Sequence, residues 1–237
     1  MLFPVLWGLA LTLNGCGSKR KTAAAAATET VRAQKPSLLS QAEWDDLNRR
    51  YLTAYGRPGR IRRMETKGVL KSLNNTIPLR YTVERQKAMN LSVTTGVRKT
   101  LVQAENDRIL IPRDLGDDER ELIRMFYYAP LNGLWEYALD HHRLRRGGLA
   151  TVNGRASHRY WFEGPGGRLF AFYVDDTHHL IVRLQMFRSQ RDEPVYTIDF
   201  MDFRPVSSVM IPYQWFAEDH QNGQSFKIFW HKIRIFD

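Results

Sequence analysis

Apolar and polar positions change period along this chain, and the changes divide it. From Leu39 the apolar residues Trp44, Leu47, Tyr51, Leu52 and Tyr55 recur at helical spacing. Ser40 and Glu43 form a capping box ahead of them, and Gly56 and Pro58 stop the run. From Ile61 the period becomes two. The alternation predicts strands at Met64–Ser72, Pro78–Arg85, Met89–Thr95, Arg98–Ala104 and Arg108–Pro112, joined by turn residues such as Asn74-Asn75 and Asn106-Asp107. A helical interlude follows. Asp118 and Glu121 cap a segment through Ala129, Pro130 breaks it, and Leu134 to Leu139 resumes it. Strands return at Leu149–Val152, Ala156–Phe162, Leu169–Val174, Leu180–Arg188, Val195–Phe203, Val209–Glu218 and Ser225–Phe236, with Asn222-Gly223 as a strong hairpin signal. So many short antiparallel strands with few helices predict a mainly β fold. The sheet should curl on itself into an unclosed half-barrel of about 11 strands, with helices covering the concave side.

Several strands are apolar on both faces. Phe170, Phe172 and Val174 point one way, with Leu169 and Tyr173 opposite. Leu180, Val182, Leu184 and Met186 share a face, with Arg183 and Gln185 opposite. Tyr213, Trp215, Phe226, Ile228 and Trp230 are co-facial by the same parity. Two short helices either fill the concave side or leave part of it to line a cavity for an apolar ligand. On the second reading the candidate lipid-binding residues are Phe170, Phe172, Val174, Val182, Leu184, Met186, Tyr213, Trp215, Ile228 and Trp230.

The first fifteen residues carry no charged side chain, a run the length of a signal-peptide core and short of the ~18 residues of a spanning helix. They end at Leu13-Asn14-Gly15-Cys16, which resembles the bacterial lipobox. There a cysteine thiol takes the glyceryl group and becomes the acylated N-terminus, palmitate being among such acyl groups. Cys16 is the single cysteine of the chain, so an internal disulfide and a cysteine zinc site are excluded. Gly17, where aspartate would signal inner-membrane retention, favours the outer membrane. The implied organisation is a signal peptide over 1–15, a lipidated cysteine and tether over 16–37, and a folded domain over 38–237. The tether carries Lys19-Arg20-Lys21 and Ala23 to Ala27. It is either solvated or laid on anionic headgroups, and as a coil it spans roughly 25 Å.

Three patches resemble the LolA/LolB-like superfamily of lipoprotein carriers and receptors. The first is Tyr51 to Gly56 running into Ile61 to Gly68, a helix, a glycine stop and a first strand. The second is the hairpin Phe172 to Arg183, turning at Asp175-Asp176-Thr177. The third is Asp202 to Val206, followed by Met210 to Tyr213 and a closing strand. The resemblance implies an unclosed barrel lidded by helices that binds acyl chains in its hollow, and with the lipobox a membrane-anchored member of the outer membrane's periplasmic face. Arg85 is nearest in position to the arginine with which carriers hold their closed state. The alternative reading is a non-catalytic envelope adaptor that docks a protein partner on the same sheet.

Charge and motifs narrow the chemistry. The chain of 237 residues has formal net charge +10 and a pI near 9.9. Arg57–Arg63 and His141–Arg146 are its densest basic clusters, yet no nucleic-acid-binding motif accompanies them, so no nucleic-acid partner is expected. No Gly-x-Ser-x-Gly elbow, His-Glu-x-x-His motif or Walker loop occurs, so no enzyme, cofactor or metal is expected. In His141-His142 and His178-His179 adjacent side chains diverge on a strand, and a polar turn accounts for Asp175 to His179.

Overall fold

The computed structural model describes residues 37–56, 61–72, 76–85, 89–95, 98–105, 108–110, 144–164, 167–188 and 193–236. Cys16 and the tether, the predicted helical interlude, His141-His142 and the side chain of Arg85 lie outside the described residues.

After a two-residue strand, β1 (Ser37–Leu38), comes one helix, α1 (Gln41–Tyr55). Its cap is the predicted one: the Ser40 backbone N–H donates to Glu43 Oε2 at 2.8 Å and the Glu43 N–H donates to Ser40 Oγ at 3.4 Å. Trp44, Leu47, Tyr51 and Tyr55 form its buried stripe. The helix ends at Gly56 with φ +83°, where an added Cβ would stand 1.8 Å from the Ser208 carbonyl oxygen. Only glycine allows that approach and that backbone together.

The strands are β2 (Arg63–Lys71), β3 (Thr76–Arg85), β4 (Met89–Thr95), β5 (Arg98–Glu105) and β6 (Arg108–Leu110), then β7 (Arg145–Val152), β8 (Arg155–Glu163), β9 (Leu169–Asp175), β10 (Ile181–Phe187), β11 (Tyr196–Val206), β12 (Val209–Asp219) and β13 (Gln224–Phe236). All thirteen join one antiparallel sheet in the order β1-β7-β8-β9-β10-β11-β12-β13-β2-β3-β4-β5-β6. Two meanders are stitched by β13 against β2, and the end strands β1 and β6 do not meet, so the sheet is unclosed. Eleven of the strands have seven residues or more, as the alternation predicts. The sheet curls strongly. In a flat sheet the tip of the β7–β8 hairpin would lie ~14 Å from β11, yet Asn153 Nδ2 donates to Asp199 Oδ2 at 3.4 Å.

Both faces carry a core. The larger cluster lies under α1 and runs from Met64, Leu79 and Tyr81 through Trp230 and Trp215 to Phe172 and Phe170. A smaller cluster on the opposite face gathers Val152, Trp161, Ala171, Tyr173, Val182 and Phe187. α1 is fixed over the first face at both ends. Near its start Arg146 pairs with Glu43 at 2.9 Å, and after its end Gly56 bridges to Val209.

Candidate functional site

Eight of the ten candidate residues share the α1 face and are covered: Phe170, Phe172, Val174, Leu184, Met186, Trp215, Ile228 and Trp230 are all 6% exposed or less. Aromatic edges lock the middle of this set. Trp215 meets Phe200 and Trp230 edge to face, each at 5.5 Å. The Trp215 indole N–H donates to the Pro212 carbonyl at 3.2 Å. Tyr213 stands at the margin of the same face, half-buried, with the Arg204 guanidinium 4.7 Å above its ring.

Val182 departs from the expected parity. It packs in the opposite-face cluster while Ile181, Leu184 and Met186 pack under α1. The cause is a bulge in β10 between Ile181 and Arg183, which turns Val182 and Arg183 to one side. Leu180-Ile181-Val182 is apolar at every position, so either parity reads as well in sequence.

The same bulge marks where the sheet opens. The β10–β11 ladder pairs four positions, from Met186↔Tyr196 to Arg183↔Asp199, and there it stops. β11 goes on pairing with β12 to Val206. The last rung is an ion pair, Arg183 Nη2 to Asp199 Oδ2 at 2.9 Å, both side chains largely covered. Past it, the Ile181 backbone N–H donates to the hydroxyl of fully buried Tyr55 at 2.8 Å. A side chain from α1 thereby replaces a ladder partner, and no buried donor is stranded. On the other strand Asp202 takes a left-handed φ of +52°. Its carboxylate is gripped by Arg204 at 2.9 and 2.7 Å, and this hydrogen bonding holds it below the usual carboxylate range.

Between the separated strands lies a slot of about 510 Å³, within the size range of small-molecule sites. Leu180, Phe200 and Met210 line it from the α1-face cluster and its margin, and Val152 and Val182 from the opposite cluster. Phe203, which packs against both clusters, joins them. Arg155, Asn153 and His178 form its polar rim. The slot therefore has apolar walls drawn from both clusters beneath a polar rim. Sequence reasoning missed it because it arises from where a ladder ends.

The rim is organised by Asp175. Burial opposes its ionisation, but backbone N–H groups of His178 at 2.6 Å and Thr177 at 2.8 Å outweigh this and hold its pKa below the ordinary value. Arg155 stands 3.5 Å away. Asp175 to His179 is thus a carboxylate-capped turn, as the polar pattern suggests. A second, smaller cavity of about 190 Å³ lies where the start of α1 meets β8 and β9. Its polar groups are paired: Glu43 with Arg146 across the cavity, Asp46 with Arg50 at 2.7 Å along α1, and the His158 ring with Asp176 at 3.2 Å. This is the seam that seats the helix. No group of three His, Cys, Asp or Glu positioned for a metal occurs among the described residues.

No protein-family model and no curated protein sequence matches the chain. Solved structures do. A DUF1329 family protein of Desulfovibrio piger superposes with TM-score 0.54 at 12% identity, over 82% of this chain and 92% of that one. A domain described as an outer membrane lipoprotein-sorting protein, from Vibrio parahaemolyticus, gives 0.51 at 9% identity, over 80% and 91%. A LolA superfamily protein of Nitrosomonas europaea gives 0.49 at 10% identity, over 79% and 94%. At such identities the likeness concerns the fold alone, which this chain shares with the DUF1329 protein and the lipoprotein-sorting domain.

Proposed function

We propose that this chain is a lipoprotein of the outer membrane, facing the periplasm, that binds acyl chains of a lipid or lipoprotein and hands them on within the envelope. The observation that supports the reading is the slot between β10 and β11, a cleft with apolar walls and a polar rim in a LolA-like fold. The lipoprotein-sorting description of the Vibrio parahaemolyticus domain agrees with it. The ten candidate residues take the role of the interior that an entering chain would meet, Val182 at the slot and the others behind it. Cys16 takes the role of the anchor, since stable attachment needs more than one acyl chain.

Transfer by such a protein needs no bond made or broken. Each CH₂ gains ~0.8 kcal/mol on leaving water, and a donor site of similar apolarity gives up nearly the same. Handover is close to neutral in hydrophobic terms, so the fit of the slot and the contacts at its rim set the direction.

The test is native mass spectrometry on a Cys16→Ala form purified gently from several expression hosts. The reading expects co-purifying lipid, displaced by added fatty acid. Leu180→Trp, which fills the slot, should abolish both. Apo protein from every host would overturn the reading, and capture of one protein partner in place of lipid would favour the adaptor. Labelling with a fatty acid in cells tests the anchor separately: wild type should label and Cys16→Ala should not.

A further inference from the structure

All five lysines among the described residues stand on one face, the outer side of β13, β2, β3 and β5. Strand register sets them against one another. Lys227 is directly opposite Lys71, and Lys232 is directly opposite Lys67. On its other side Lys67 faces Arg80, whose row runs on through Thr94 to Lys99. All six cations are exposed. Like charges directly opposed across antiparallel strands destabilise a sheet, and here three such pairs occur together. The same face shows the stabilising alternative toward its edge, where Arg63 bonds both Glu65 and Glu84. None of the five lysines, nor Arg80, makes an ion pair with a described residue. The arrangement costs stability locally, and among the described residues nothing offsets it, so the face suits an anionic partner.

The apolar groups on this face narrow that partner. The Lys71 ammonium lies 5.2 Å over Phe229, and that of Lys227 lies 5.6 Å over Phe216. Leu101, in line with Lys99, is 62% exposed, and Phe236, in line with Arg234, is 43% exposed. A phosphate backbone would satisfy the cations and leave Leu101 and Phe236 in water. A bilayer with anionic headgroups satisfies both: it draws in surface lysines and arginines, and its interface accepts the protruding side chains. We infer that the outer face of β13-β2-β3-β5 docks on an anionic phospholipid bilayer. This face is remote in register from the slot, and the inference stands whether or not the slot takes an acyl chain.

Vesicle flotation with the full-length Cys16→Ala chain tests it, the N-terminal segment being the same in every form compared. The chain should float with vesicles containing phosphatidylglycerol far more than with phosphatidylcholine alone, and less as salt rises. Lys67→Gln, Lys71→Gln and Lys232→Gln together should lower partitioning by about a hundredfold, while the thermal midpoint holds or rises because the opposed charges are gone. The matching triple Lys→Arg form should bind as wild type, and Leu101→Ser with Phe236→Ser should weaken the binding that survives high salt. A folded triple Gln form that floats like wild type would overturn the inference. So would loss of duplex DNA binding in that form with vesicle binding unchanged.

Discussion

β9 is buried at all seven of its positions, whereas β2 alternates between covered and open along its nine. The difference lies in what stands on the two sides. β9 has α1 and the larger cluster beneath it, and on its other face the curled β7–β8 hairpin with Trp161. β2 has a core on one side only. Its outer residues, Lys67 and Lys71 among them, are left for solvent or a docking surface. One sheet thus contains a two-sided region, where the slot lies between β10 and β11, and a one-sided region, whose free face is charged. Phe170 and Phe172 record the first condition, and the Lys67–Lys232 opposition records the second.

Substitutions can break this contrast. Phe172→Ala, at a site with no exposure, should cost about 3–5 kcal/mol in chemical denaturation. Val69→Ala, on the outer face of β2, should stay within about 1 kcal/mol. Equal losses at the two positions would abolish the distinction. Tyr55→Phe removes the acceptor for the buried Ile181 N–H and should cost about 1–3 kcal/mol, with faster amide exchange at Ile181.

The two-sided region also carries a pH signature. The folded pKa of Asp175 is depressed, so its turn adds stability that is present above the ordinary carboxylate value, about 3.9. That stability is lost as pH falls through the depressed folded value. The gap between wild type and Asp175→Ala should therefore be constant from neutral pH to about pH 4 and close below it. The smallest effect falls in the one-sided region. Lys67→Gln alone should raise stability by a few tenths of a kcal/mol.

Most of the fold was legible where a local cause fixed it. Met89–Thr95 has the same bounds in sequence and structure, with Gly96 as the turn residue that closes it. The Ser40–Glu43 box and the Gly56 stop delimit α1 to the residue. β7 begins at Arg145, four residues before the alternation suggests, because Arg145-Arg146-Gly147-Gly148 offers no apolar signal and is held by pairing with β8 and β1. The site was legible only in part. Aromatic parity found the buried face, but Val182 sits at a bulge within an apolar run, where pattern carries no information about facing. The slot depends on a ladder that ends at Arg183↔Asp199, and the opposed lysines depend on register between strands far apart in the chain. Neither is a property of any single segment.

The claim on which the functional account rests is that an apolar chain enters between β10 and β11. Photolysis of the Cys16→Ala protein with a fatty acid carrying a diazirine at its tail, followed by peptide mapping, tests it most directly. The account predicts adducts on the slot walls, at Leu180, Phe203 and Met210, and their loss in Leu180→Trp. Adducts confined to the outer faces of the sheet, or unchanged in Leu180→Trp, would contradict it.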